Sequence, residues 1–228
     1  ARASVCNEDW LYDTFGVDAE LLIDHAWGYE PCGLAQIKAY RPSSNSICEG
    51  QVLSCPYPFA KARLIVQEMA ELLSFRLMEK QLAAQSVTLE IGYDRENVDT
   101  GRYHGPTKLD PYGRTLPKPA HGTARFDAPT NLGSQIIGSC VKLFAQIADP
   151  SLTVRRVTLT ANRVETDQGI CQVDLFTDLR KQEKERKLQQ TMLDIKTRFG
   201  KNAVLKASSY EEGATMRQRN GQIGGHKA

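Results

Sequence analysis

Residues 58–80 read PFAKARLIVQEMAELLSFRLMEK, and residues 85–93 read QSVTLEIGY. In the first stretch the apolar side chains at 62, 65, 66, 69, 72, 73 and 77 recur at intervals of three and four, the signature of a helix with one buried side. Pro56 and Pro58 stand where a helix tolerates proline, at its opening. In the second stretch Val87, Leu89 and Ile91 alternate with polar residues, which predicts a strand with one buried face.

The elements on either side complete the pattern. Ser46–Ser54 reads as a strand that the two prolines end. Residues 95–119 are rich in Gly, Pro and Asp and read as a long loop. Ala120–Phe126 reads as a short strand. Thr130–Ala148 reads as a second amphipathic helix, with Leu132, Ile136, Ile137, Val141, Phe144 and Ile147 on its apolar side. Leu152–Val164 is the last strand. The order β-α-β-β-α-β predicts an α+β domain over 46–165: a four-stranded sheet with two helices on one face and the other face free.

Two segments flank this unit. Residues 1–30 predict two short helices, the first capped by Asn7, with Trp10, Tyr12, Phe15 and Trp27 as their core. Residues 31–45 read as a linker in which only Ile37–Tyr40 looks extended. Residues 166–228 form a C-terminal extension. Within it Leu179–Phe199 predicts a charged helix with a narrow apolar stripe at 188, 192, 195 and 199, stopped by Gly200. The last 20 residues look irregular.

The 228 residues carry a formal net charge of +2, unevenly spread. Residues 1–46 hold three basic and seven acidic side chains, whereas 101–163 hold nine basic and three acidic ones. A basic stretch in a near-neutral chain suits one face for an anionic polymer, and on charge alone it reads equally as solvated surface. The six cysteines form no Cys-x-x-Cys pair, so reduced thiols in a cytoplasmic protein are expected rather than a zinc site. No apolar run approaches membrane-spanning length. The chain opens on Ala1 rather than Met, which reads as a piece of a longer protein.

Several stretches together resemble one family. NEDWLYDTFGVDAELLIDHAWGYE, residues 7–30, is similar to the end of the thumb of Y-family translesion DNA polymerases. The connector and the β-α-β-β-α-β unit resemble that family's linker and little finger. Val154-Arg155-Arg156-Val157 resembles the strand with which the little finger holds template backbone. YGR at 112–114, PKPAHGT at 117–123 and RNGQIGGHK at 219–227 resemble the UmuC/DinB-like branch of Gram-positive bacteria. The resemblance implies DNA repair by lesion bypass in the SOS response. It also implies a palm whose carboxylates hold Mg2+ ions for phosphoryl transfer. No such carboxylate set is found here, since Glu211-Glu212 lies in a Ser/Gly-rich tail, and the helix-hairpin-helix of the thumb is missing too. The chain itself is therefore expected to bind no cofactor and not to synthesise DNA, although the parent implied is a polymerase.

What remains is binding. Arg155 and Arg156, adjacent on a strand, point to opposite sides, and with Arg125, Arg163 and Lys118 they could line a groove along a template-primer duplex. Lys38 and Arg41 in the linker would run beside the same duplex. Contacts of this kind hold phosphate without reading sequence. Gln172-Val173-Asp174-Leu175-Phe176 fits the Gln-x-x-Leu-Phe pattern of ligands for the bacterial sliding clamp, in which a Leu-Phe pair enters an apolar pocket. A short strand packing internally would look the same. A regulatory protein at helix 179–199 is a further candidate partner. The competing reading is a protein-interaction module that binds such a partner instead of DNA.

Overall fold

The structure, a computed structural model, describes residues 5–16, 18–30, 32–40, 45–110, 113–167, 169, 178–223 and 226–227. The chain divides into two compact units, residues 1–44 and 45–228.

The first unit holds helices α1 (Glu8–Phe15), α2 (Asp18–Ala26) and α3 (Leu34–Ala39). The Asn7 side chain accepts the Trp10 amide hydrogen at 3.2 Å and caps α1 as expected. Two expectations fail in this unit. Ile37–Tyr40 is not extended, because Leu34–Ala39 closes a helical turn and a half. Trp10, Tyr12, Phe15 and Trp27 are exposed instead of forming a core. Helices of eight and nine residues cannot enclose four aromatic rings, and among the described residues of this unit only Leu11 and Ala19 become buried.

The second unit runs β1 (Ser46–Tyr57), α4 (Phe59–Glu79), β2 (Leu82–Tyr93), α5 (Glu96–Asp99), β3 (Thr107–Leu109), β4 (Thr115–Pro117), β5 (Ala120–Thr130), α6 (Gly133–Ile147), β6 (Val154–Thr166), α7 (Leu179–Phe199), a 3-10 turn at Ala207–Tyr210, α8 (Met216–Arg219), β7 (Gln222–Ile223) and β8 (His226–Lys227). The major strands form an antiparallel sheet in the order β1-β6-β2-β5, and α4 and α6 pack together on one face of it. This is the α+β arrangement that the periodicities predicted. The expected loop at 95–119 contains a short helix and the β3-β4 hairpin. The tail expected to be irregular holds the 3-10 turn, α8 and a two-residue hairpin.

The core lies between the helices and the sheet. Ile65, Met69, Leu73 and Leu77 of α4 meet Val87, Leu89 and Ile91 of β2, Val157, Leu159 and Ala161 of β6, and Ile136, Cys140 and Phe144 of α6. Each large apolar side chain so buried contributes about 1.5–3 kcal/mol. Burial pushes the Cys140 thiol up to about 12, so it behaves as a small apolar group.

Helix α4 is covered on its polar side as well. Glu68 and Glu71 are buried beneath the C-terminal residues. The Glu68 carboxylate accepts the amide hydrogens of Thr215, at 2.8 Å, and Met216, at 3.1 Å, while Lys206 pairs with Glu71. Helix α7 turns a polar side toward the domain, with Gln189 buried against Ser74, Asn131 and Gly133. The stripe read at 188, 192, 195 and 199 is not the packed side: Met192 and Ile195 are half-buried, and Leu188 and Phe199 are 61% and 68% exposed. The Gln189 side chain and the Glu185 carboxylate instead satisfy backbone groups of Ser74, Asn131, Gly133 and Ser134, which is why this polar side of α7 is the one that packs.

Candidate nucleic-acid interface

The helix-free face of the sheet follows from the register. Between the irregularities at the strand ends, odd-numbered residues 47–53 of β1, 87–93 of β2 and 157–161 of β6 and even-numbered residues 120–126 of β5 face the helices, so their neighbours line the other face. Four cross-strand rows result. The first is Val52, Arg156, Gly92; the second is Gly50, Thr158, Glu90, His121. The third is Cys48, Thr160, Thr88, Thr123, and the fourth is Ser46, Asn162, Ser86, Arg125. Short hydroxyls and glycines make this floor low, and it is cross-linked by polar bonds. Thr88 and Thr123 share a hydrogen bond of 2.8 Å between hydroxyls, and the Asn162 amide donates to Thr88 Oγ1 at 2.9 Å.

Arg156, on the inner strand β6 in the first row, and Arg125, on the edge strand β5 in the fourth, rise from this floor, both exposed, and neither forms an ion pair among the described residues. Gly92 sits directly across from Arg156, where a Cβ would come within 3.0 Å of Arg156 Cβ. The absence of a side chain there gives the arginine its room. Lys118 lies at the edge, in a cleft it shares with Lys108, Glu90 and His121.

Arg155 occupies a different place. Tyr93 pairs with Val154 and Gly92 with Arg156, so Arg155 is the extra residue of a β-bulge. Val154 and Val157 are thereby both buried, and Arg155 Nε turns to Asp94 at 3.7 Å. Buried Asn97 holds this corner together. Its side-chain amide donates to the carbonyls of Asp94 and Thr153, and its own oxygen accepts from the Thr153 amide at 3.0 Å. Arg163 stands near the other end of β6 with φ of 48°, an uncommon backbone state for a residue with a Cβ. The alternation slips there, so Ala161 and Val164 are buried while Arg163 stays exposed.

Of the expected site residues, the fold thus brings Arg125, Arg156 and Lys118 to one face and sets Arg155 and Arg163 at the ends of β6. Lys38 belongs to the first unit. Arg41 and Gln172, Val173, Asp174, Leu175 and Phe176 lie outside the described residues. Reading the sequence for charge missed the hydroxyl rows and Glu90, although Thr158, Thr160 and Asn162 alternate with Val157, Leu159 and Ala161. Among the described residues no group of three or more His, Cys, Asp or Glu is placed to hold a metal ion. Nor is any helix among them long and apolar enough to cross a membrane.

A β-α-β-β-α-β sheet with one face sealed by two helices and the other paved with hydroxyls and carrying arginines in its first and last rows defines the class, a split βαβ module of the little finger kind. The chain belongs to the impB/mucB/samB family, whose C-terminal domain matches residues 45–175. It is the C-terminal part of a Y-family polymerase, as the resemblance implied. It is 28% identical over 220 residues to "Putative UV-damage repair protein UvrX" of Bacillus subtilis (strain 168), a match covering 96% of this chain and 47% of that protein. The chain thus spans about half the length of this curated relative. A chain of the solved structure "Complex of beta-clamp processivity factor and little finger domain of PolIV" aligns over 58% of this chain and 99% of its own length, at 12% identity and a TM-score of 0.36. At that score the likeness adds nothing to the fold described above.

Proposed function

We propose that this chain holds template-primer DNA without regard to sequence, as part of an error-prone translesion polymerase of the cytoplasm, and docks onto the sliding clamp through residues 172–176. The observation that carries the DNA reading is the open sheet face, with Arg156 and Arg125 in its first and last rows, outside any ion pair among the described residues, and hydroxyl rows between. Guanidinium groups bind phosphate in bidentate fashion, and hydroxyls add short donors that do not depend on the base. Arg155, Arg163 and Lys118 extend the basic surroundings, and Lys38 and Arg41 are proposed as further phosphate contacts. The clamp reading rests on the Gln172-Val173-Asp174-Leu175-Phe176 pattern and on its place just after β6. Mg2+ belongs to the palm expected elsewhere in the parent protein. The buried carboxylates of this chain do not suit it, because Glu49, Glu68 and Glu71 each already face a protein donor.

A titration of labelled primer-template across a range of salt tests the DNA reading. Affinity falls steeply with salt in the wild type. Arg156→Ala/Arg125→Ala lowers both the affinity and the salt slope, the slope by about one for each phosphate that is no longer neutralised. An affinity indifferent to salt, or unchanged in the double variant, refutes it. A second reading, a protein-interaction module, is favoured by the outward Leu188 and Phe199 of α7. It predicts that neither arginine matters and that Leu188→Ala/Phe199→Ala abolishes partner binding.

A further inference from the structure

The four rows of the open face contain one acid, Glu90, and its position is particular. Arg156 is on β6 in the first row and Arg125 is on β5 in the fourth, with β2 between them. Rows are ~6.8 Å apart along a strand and strands ~4.8 Å apart, so the two arginine backbones stand ~22 Å from one another on a diagonal. Glu90, on β2 in the second row, falls within ~2 Å of that diagonal on the same spacings. It is exposed and forms no ion pair among the described residues, although Lys118, Lys108 and His121 line the cleft beside it and Arg156 stands one row away.

We infer that Glu90 limits how tightly the sheet face holds nucleic acid, because a phosphate backbone reaching from Arg156 to Arg125 must cross its carboxylate. This rests on the DNA reading above. The other positions beneath the path are Thr158, Thr88 and Thr123, whose hydroxyls are neutral and can donate hydrogen bonds, and Ser86, which is neutral and buried. At Glu90 an acceptor without a proton to give meets a phosphate of the same sign. At a separation of ~7 Å with solvent on one side, such a pair weakens binding roughly threefold to tenfold, and the effect fades once the Debye length shrinks to a few ångströms. The face therefore combines two arginine anchors with a repulsive midpoint, which shortens residence on DNA while leaving the position of the anchors unchanged.

The test is the affinity of the full chain for a labelled primer-template, wild type against Glu90→Gln, at low and high salt. Glu90→Thr serves as a second variant suited to a strand. The inference expects both variants to bind roughly threefold to tenfold tighter at low salt, with a slower dissociation rate, and to converge on the wild type at about 1 M salt. Wild-type binding with no change in either variant overturns the inference and leaves the DNA reading intact. Weaker binding in both also overturns it, because Glu90 would then be making a favourable contact. If the wild type does not bind at all, the DNA reading and the inference fall together.

Discussion

The side-chain oxygen of Gln189, in α7, accepts the amide hydrogen of Gly133, the first residue of α6, at 2.9 Å. The side-chain amide of Gln189 donates to the Asn131 carbonyl at 3.0 Å, and one turn earlier the Glu185 carboxylate takes both the amide and the hydroxyl of Ser134 at 2.7 Å. The residue before α6, Leu132, offers no capping side chain, so α7 supplies the cap to Gly133 from 56 residues downstream. The C-terminal extension is therefore bound into the sheet domain by hydrogen bonds to its backbone.

Gln189→Ala is expected to destabilise the second unit by about 1–3 kcal/mol, because it leaves a buried amide and a buried carbonyl unpaired. Urea denaturation of the full chain measures this. Gln189→Leu, which restores volume but not the bonds, recovers little. Full recovery in the leucine variant would mean that packing, not capping, holds α7.

Glu68 serves the tail as Gln189 serves α6. Its carboxylate accepts from Thr215 and Met216, and Gln51 reaches Thr215 Oγ1 at 2.9 Å. Glu68→Ala should free residues around 211–220, seen as faster amide exchange there and early protease cleavage. The expected loss is about 2 kcal/mol, since the hydrogen bonds removed are charge-assisted. Unchanged exchange would refute this role.

Burial raises the Glu71 carboxyl above its ordinary value of 4.5, and Lys206 only partly offsets this. For an acid raised in the folded state, the stabilising contribution is present below the ordinary value and is lost as pH rises through the folded one. Glu71→Gln should accordingly be more stable than the wild type at pH 7, with the gain shrinking as pH falls toward 4.5. Melting temperatures of the two proteins across that window decide it. A gain that grows on acidification would reverse the sign.

Leu175→Ala/Phe176→Ala is expected to abolish binding to purified sliding clamp, a loss of about 2 kcal/mol or more for each anchor, and to leave primer-template affinity unchanged. Surface plasmon resonance with immobilised clamp reads the first, and fluorescence anisotropy the second. Retained clamp binding would assign the interaction to another surface.

The elements of the sheet and its two covering helices were legible because apolar side chains on 46–164 repeat with one period per element. Val87, Leu89 and Ile91 could only be a strand face, and Ile65, Met69 and Leu73 only a helix face. The arginines were legible as a group by charge. That Arg155 and Arg156 point to opposite sides was also legible, but not that the bulge beside Gly92 ties Arg155 to Asp94 and leaves Arg156 open. The side of α7 that packs was likewise not legible, because periodicity reports where apolar residues lie and not where hydrogen-bonding groups are waiting.

The amino-acid sequence alone determined the order of the four main strands and their two covering helices, the core between them and the family, all of which depend on local periodicity and short motifs. Tertiary structure alone decided that Glu90 stands between Arg156 and Arg125, and that Gln189 and Glu68 bind the C-terminal residues to α6 and α4. Those relationships join residues 31 to 148 positions apart. They depend on strand register and helix placement, which follow from the minimum of the whole chain's packing energy rather than from any local stretch.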